Sequence, residues 1–120
     1  MSSFSEIILS NQSHPGDSTT QTVTGEKYKG DGYYGRSDGF HTVQYNISGN
    51  SDSAFTGTIT MQATLATLPT DDDWFTVSGT TAVYDQFYGS ETKNFTGNYV
   101  WVRVYVSYTD GTISSILLNH

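Results

Sequence analysis

The chain has 120 residues, of which 14% are charged, and five Lys and Arg stand against twelve Asp and Glu for a formal net charge of −7. This length allows one domain with one core, and so few, scattered basic residues exclude the basic surface that nucleic-acid binding requires. The chain has no cysteine, which excludes disulfides and leaves only His and carboxylates as metal ligands.

Short strands separated by turn residues are predicted along the whole chain. Gly, Ser and Thr are frequent and Tyr occurs nine times, a composition that favours strands and turns, and no segment has a helical period. In chain order, the predicted strands are residues 7–9, 20–24, 41–47, 58–65, 74–77, 82–88, 99–108 and 112–118. Residues 1–10 are read as a first strand or an N-terminal arm. Residues 25–39 hold five Gly with Tyr28, Tyr33 and Tyr34 between them, which predicts a loop.

The alternation of side chains in these strands indicates how they pack. Residues 58–65 place apolar side chains at odd positions from Ile59 to Leu65 and Thr or Gln side chains between them, which is typical of a half-buried antiparallel strand. The Asp-Gly step at 110–111 accepts the positive φ of a tight turn and predicts a hairpin between the last two strands. The number and spacing of the strands predict a single all-β domain, an antiparallel two-sheet β-sandwich that is jelly-roll-like.

The most informative segment is YVWVRVYV at residues 99–106. Its even positions are all Val, and since alternate side chains of a strand point to opposite faces, this face can enter the core. The odd positions leave three aromatic rings and one Arg on the other face, an unusual row to expose to water. The candidate partner-binding residues are therefore Tyr99, Trp101, Arg103 and Tyr105, with Tyr28, Tyr33 and Tyr34 of the predicted loop.

Three interpretations of this odd-numbered face stay open. It is a contact surface for another protein, because Tyr, Trp and Arg are enriched at protein interfaces. Alternatively, its rings, together with Trp74, stack on sugar rings as the aromatic platforms of carbohydrate-binding modules do. Finally, it is a second inner face that residues 25–39 of the same chain cover.

No arrangement of residues predicts catalysis. The three His lie far apart, and there is no phosphate-binding loop, nucleophile elbow or zinc-protease motif. Asp71, Asp72 and Asp73 are a minor candidate for Ca²⁺, which takes oxygen ligands, but consecutive carboxylates rarely converge on one ion, and Pro69 before them favours a solvated turn. We therefore expect a protein that is not an enzyme and that has no cofactor and no metal.

No segment has the apolar length of a signal peptide or of a membrane span. The expectation from this is a chain that is made in a cytoplasm and does not engage a membrane.

Four segments carry a resemblance to a known family. They are FTGTITMQATLA at 55–66, DWFTV at 73–77, FTGNYVWVR at 95–103 and DGTI at 110–113. Their outline resembles that of small virion structural proteins of tailed bacteriophages, most of all those of the contractile-tailed phages of marine cyanobacteria, over about residues 55–120.

The resemblance implies a function without catalytic residues. A protein of this family is a non-enzymatic virion structural protein, and we expect a small capsid-decorating or neck or tail subunit that docks on other virion proteins in many copies. The expected location is the virion, after synthesis in the host cytoplasm. Trp74, Trp101 and Arg103 match marked positions of the family outline. The alternative function is a carbohydrate-binding β-sandwich module that attaches a particle to a host glycan.

Overall fold

The computed structural model describes residues 5–14, 19–30, 39–48 and 54–119. These residues form two antiparallel β-sheets and contain no α-helix; a single 3₁₀ turn spans Asp71–Asp73. The structure confirms the expected all-β, two-sheet antiparallel sandwich, whereas its jelly-roll detail stays a prediction. Among these residues no helix is long and apolar enough to cross a membrane.

The two sheets are built from strands that are distant in sequence. Sheet A has the spatial order β1 (Ser5–Ser13), β10 (Thr112–Asn119), β4 (Phe40–Ser48) and β8 (Gly89–Thr96). Sheet B is centred on β5 (Phe55–Thr64) and β9 (Trp101–Asp110). The free side of β9 pairs with β2 (Gln21–Thr24) and β3 (Tyr28–Lys29), and the free side of β5 pairs with β6 (Phe75–Thr76) and β7 (Ala82–Phe87).

The core lies between the facing sheets and is filled by alternate residues of their central strands. The fully buried apolar side chains of the two central strands of each sheet are Val43, Tyr45, Ile113, Ile116, Leu118, Phe55, Ile59, Met61, Ala63, Val102, Val104, Val106 and Tyr108. The valines of β9 are therefore inside, as their alternation predicts. Each apolar side chain of this size contributes about 1.5–3 kcal/mol when it leaves water, so this row is a substantial part of what holds sheet B to sheet A.

The predicted hairpin at Asp110 and Gly111 is wrong. β9 belongs to sheet B and β10 to sheet A, so the chain crosses from one sheet to the other at this step. Gly111 has φ +101°, and a Cβ there would collide with Cα of Phe55. The Asp110 carboxylate accepts a hydrogen bond of 2.8 Å from the Gly111 N–H. The turn chemistry is the one expected, but the strands that it joins do not pair.

Two other expectations need correction. The described part of residues 25–39 is not a free loop, since the Gly25 N–H donates to the Val104 carbonyl at 2.8 Å and β3 pairs with the start of β9. Leu65 is 66% exposed instead of buried, because β5 ends at Thr64 and the alternation ends with it.

Candidate interface on the outer face of sheet B

The odd-numbered side chains of β9 lie on the outer face of sheet B, near its centre. Cross-strand pairing sets Arg103 opposite Gln62 and Tyr105 opposite Thr60 of β5. Trp101, Arg103 and Tyr105 are half-buried. We call Trp101, Arg103 and Tyr105, together with Trp74, whose ring lies against Arg103, the β9 face.

Arg103 is held by three partners from two segments. Its Nε–H donates to Oε1 of Gln62 at 2.8 Å. Its guanidinium carbon lies 4.3 Å from the centroid of the Trp74 ring, within the range of a cation–π contact. Its Nη1 is 3.7 Å from Oδ1 of Asp71, a fully exposed side chain, so this ion pair contributes little. The stacked ring and the amide therefore fix the guanidinium in one place.

Trp101 is supported at the edge of its ring and by a cation. The indole N–H donates to the Thr67 carbonyl at 3.0 Å, and Nζ of Lys27 lies 4.7 Å from the ring centroid. These contacts come from the segment after β5 and from the segment between β2 and β3, which border the β9 face. Of residues 25–39, the structure describes 25–30 and 39: Lys27 touches this face, while β3 extends the sheet beside it. The covering of the face by the rest of this range stays a prediction.

Tyr99 departs from the predicted row. It precedes β9, and its ring packs against the end of the core, 5.6 Å from the ring of Phe75 and 6.4 Å from that of His41. Its hydroxyl donates to the Thr96 carbonyl at 3.3 Å. Tyr99 therefore packs against the core near Phe75 and His41 instead of joining the row of Trp101.

The loop tyrosines fall in different places. Tyr28 lies in β3, packs against the core and donates from its hydroxyl to the Ile7 carbonyl at 3.3 Å. Burial, with a smaller contribution from Glu26 and then Glu6, raises the pKa of Tyr28. Tyr33 and Tyr34 lie outside the described residues, so their partner-binding role stays a prediction.

The acidic turn does not gather its carboxylates. Oδ2 of Asp73 accepts from the Thr70 N–H at 2.7 Å and from the Thr70 hydroxyl at 3.2 Å, a capping box at the start of the 3₁₀ turn. Asp71 reaches toward Arg103 instead, and Asp72 is exposed. Within the ranges that the structure describes, no three His, Cys, Asp or Glu side chains come together as a metal site needs.

Sequence reasoning placed Trp101, Arg103 and Tyr105 on one face but missed two of the residues that contact them. Gln62 could have been found from the outward row of β5, once β5 was paired with β9 in the right register. Lys27 could not, because its position depends on how the segment between β2 and β3 follows the edge of the sheet. The arrangement offers flat rings and fixed hydrogen-bonding groups, which suit binding rather than chemistry.

Comparisons with known proteins find the fold but no sequence relative. No protein-family model and no curated protein matches the chain. Its structure is similar to that of the SPBc2 prophage-derived protein YomS, with a TM-score of 0.59 at 15% identity over 98% of this chain and 91% of that one.

Carbohydrate-binding modules have similar structures as well. The C-terminal CBM6 of LamC, a marine laminarinase from Zobellia galactanivorans, has a TM-score of 0.50 at 11% identity over 99% of this chain and 100% of that one. CBM32-3 from a family 31 glycoside hydrolase of Clostridium perfringens has a TM-score of 0.50 at 10% identity over 89% of this chain and 70% of that one. At these identities the likeness shows a shared β-sandwich fold.

Proposed function

We propose that the chain is a non-enzymatic structural subunit of a bacteriophage virion that docks on another virion protein through the β9 face. It decorates the capsid or belongs to the neck or tail, as in the virion proteins of contractile-tailed cyanophages that residues 55–120 resemble, and it is present in many copies. The similarity in fold to a prophage-derived protein supports a phage origin.

The observation that carries the proposal is the fixed position of Arg103 between Gln62 and Trp74. Ordering a free Arg side chain costs about 2 kcal/mol of conformational entropy, and here that cost is met before any partner arrives. A preordered Arg beside Trp rings is typical of the residues that dominate protein interfaces. The rings of the β9 face do not enter the core, which the valines of β9 already fill.

The proposal is tested by the incorporation of variants into virions. Trp101→Ala removes one of the two indole rings of the β9 face, and Val83→Ala is the matched control, because Val83 is 77% exposed on the outer face of the same sheet. Each variant is produced during infection, particles are purified by sedimentation, and the bound chain is quantified against wild type. A thermal melt of each purified variant reports folding separately.

We expect the wild-type chain and Val83→Ala to co-purify with particles, and Trp101→Ala to be depleted about tenfold or more, as for a Trp that carries binding energy at an interface, while it still melts cooperatively. If a folded Trp101→Ala variant is fully incorporated, the proposal that the chain docks through the β9 face is rejected. Absence of the wild-type chain from purified particles would reject the virion role itself.

A second candidate function, glycan attachment, is favoured by the surroundings of Trp101. The ammonium of Lys27 lies over its half-buried ring, and the ring is on the same face as the amide of Gln62 and the guanidinium of Arg103. Sugar rings stack on such indoles while neighbouring polar groups bind their hydroxyls. A glycan array with wild type and Trp101→Ala decides this point: binding that Trp101→Ala loses would support glycan attachment, and silence of the wild type across the array would reject it.

A further inference from the structure

The outer face of sheet A is free of charge across its described residues. One row crosses all four strands and joins Ile7 of β1, Leu117 of β10, Gln44 of β4 and Thr92 of β8. Ile7 is 59% exposed and Thr92 is exposed, while the other two are half-buried. None of these side chains is ionisable, which is unusual for an exposed sheet face.

The neighbouring rows are also uncharged, and their polar groups satisfy one another within the plane of the sheet. The Thr42 hydroxyl donates to Oδ1 of Asn94 at 2.8 Å. Oδ1 of Asn46 accepts from the Ser90 hydroxyl at 2.8 Å, and its Nδ2 donates to the Ser115 hydroxyl at 3.0 Å. Because these side chains bond to one another, part of their hydrogen-bonding capacity is met without water.

Among the residues that the structure describes, the charged side chains lie away from this face. Arg103 and Asp71 meet on the outer face of sheet B. Glu91 and Lys93 of β8 pair at 3.5 Å and have the inward register of Tyr45 and Val43. Because the chain carries a net charge of −7, two copies repel each other through most of their surfaces. The uncharged face of sheet A is where two copies meet with the least repulsion.

The edges of sheet A are poor sites for association. At one edge, β8 carries the inward-pointing charges of Glu91 and Lys93, and at the other, β1 is distorted by a bulge between Ile7 and Leu9. Both features are ones by which natural sheets discourage strand addition. Association of sheet A is therefore expected through its outer face and not through an edge strand.

We propose that the outer face of sheet A binds the same face of a second copy, in a two-fold symmetric pair. Ile7 and Leu117 supply its apolar contact, and the hydrogen-bonded amides and hydroxyls around them supply a surface that is depleted of charge, as interface centres are. This inference goes beyond the proposed function, since it uses the opposite sheet from the β9 face.

The size of the face sets the strength of the pair. Each strand of sheet A has about eight residues at ~3.3 Å per residue, and the four strands lie ~4.8 Å apart. The area of the face is therefore roughly 500 Å² per copy. A stable interface buries about 800 Å² per partner. The pair is therefore weak and reversible in solution and gains from the repetition of subunits in a particle.

Sedimentation equilibrium of the full chain from the micromolar to the millimolar range tests the proposal. Thr92→Lys places a charge in the middle row of the face, and Thr22→Lys is its matched control, because Thr22 is exposed on a strand of sheet B. Ile7→Ala is a second variant that removes apolar contact without adding charge, and its exposure means that the fold does not depend on it.

We expect the wild type to form dimers at high concentration, and Thr92→Lys to raise the dimer dissociation constant at least about tenfold through like-charge repulsion. Ile7→Ala should raise it less, and Thr22→Lys should not change it. A chain that stays monomeric throughout, or a dimer that Thr22→Lys weakens as much as Thr92→Lys does, would overturn the proposal. Trp101→Ala should leave dimerisation intact, so failure of the docking account and failure of this one are separable.

Discussion

The guanidinium carbon of Arg103 lies 4.3 Å from the centroid of the Trp74 ring, although the two residues belong to segments far apart in the sequence. The segment after β5 folds back over the outer face of sheet B, and the 3₁₀ turn Asp71–Asp73 brings Trp74 onto β9. This contact, with the hydrogen bond from Arg103 to Gln62, turns an exposed row of side chains into an ordered surface.

The first prediction concerns the shape of the Arg103 side chain. Arg103→Lys keeps the charge but loses the planar group that stacks on Trp74 and the Nε–H that bonds Gln62. We expect the free energy of unfolding to fall by about 1 kcal/mol, and incorporation into particles to fall more than stability does. Urea denaturation and quantified incorporation measure the two effects.

The matched control for Arg103→Lys is Asp71→Asn. The Asp71 side chain is fully exposed, so its ion pair with Arg103 is screened by water. We expect the melting temperature of Asp71→Asn to equal that of the wild type. A loss of stability for Asp71→Asn as large as that for Arg103→Lys would mean that charge pairing, and not stacking, holds Arg103.

The second prediction compares two of the described glycines with positive φ, Gly111 and Gly79. Gly111→Ala combines φ +101° with a Cβ placed against the backbone of Phe55, and we expect it to lose more than about 2 kcal/mol of stability. Gly79→Ala has φ +83° with no atom near its Cβ, and we expect a loss of about 1 kcal/mol from the backbone alone. Equal losses in urea denaturation would show that the crossing between sheets at Gly111 is not tightly packed.

The fold class and the core row of β9 could be predicted from sequence because they depend on local alternation. Valines at every second position bury one face wherever the partner strands lie. β8 was not predicted, because its residues from Gly89 to Thr96 are mostly polar and only Phe95 is buried. It is a strand because β4 pairs with it along its length. This pairing cannot be read from the sequence of β8 alone.

The turn at Asp110 and Gly111 and the contacts of the β9 face could not be predicted for the same reason, because both depend on which strands pair. An Asp-Gly step satisfies the same backbone requirement in a hairpin and in a crossing between sheets, and only the pairing of β10 with β1 and β4 makes it a crossing here. Trp101 and Arg103 could be placed on one face from parity. The contacts of Arg103 with Trp74 and Gln62 depend on strand register and on the path of the segment after β5.

The third prediction concerns the buried hydroxyl of Tyr45. It donates to the Thr80 carbonyl at 2.8 Å inside the core. Tyr45→Phe removes the donor and leaves that carbonyl without it, so we expect a loss of about 1–2 kcal/mol at neutral pH. Tyr88→Phe is the matched control, because Tyr88 is 53% exposed, and it should be neutral in the same urea titration. A neutral Tyr45→Phe would show that water replaces the lost donor.

The fourth prediction is a loss of stability in alkaline solution. Burial, followed by smaller contributions from Tyr84 and Glu91, raises the pKa of Tyr45 above its ordinary value of 10. Burial, the hydrogen bond to Glu91 and the charge of Glu91 raise the pKa of Tyr84 in the same way. Above about pH 10 the unfolded chain loses these protons while the folded chain keeps them, so the unfolded state binds fewer protons and the free energy of unfolding falls as pH rises.

Below the ordinary tyrosine pKa this stabilisation is fully present, and it is lost as pH rises toward the raised pKa values of the folded state. Tyr84→Phe removes one of the two groups, so its stability should fall less steeply with pH than that of the wild type. Urea denaturation at a series of pH values on both sides of about pH 10 measures this slope. Parallel curves for wild type and Tyr84→Phe would contradict the assignment.

The most direct measurement of the central claim is the structure of the assembled particle by electron cryomicroscopy. The account predicts that atoms of another virion protein lie within contact distance of Trp101 and Arg103, with the Trp74 stack on Arg103 preserved beneath them. A particle in which these side chains face solvent in every copy, while another surface of the chain holds it in place, would contradict it.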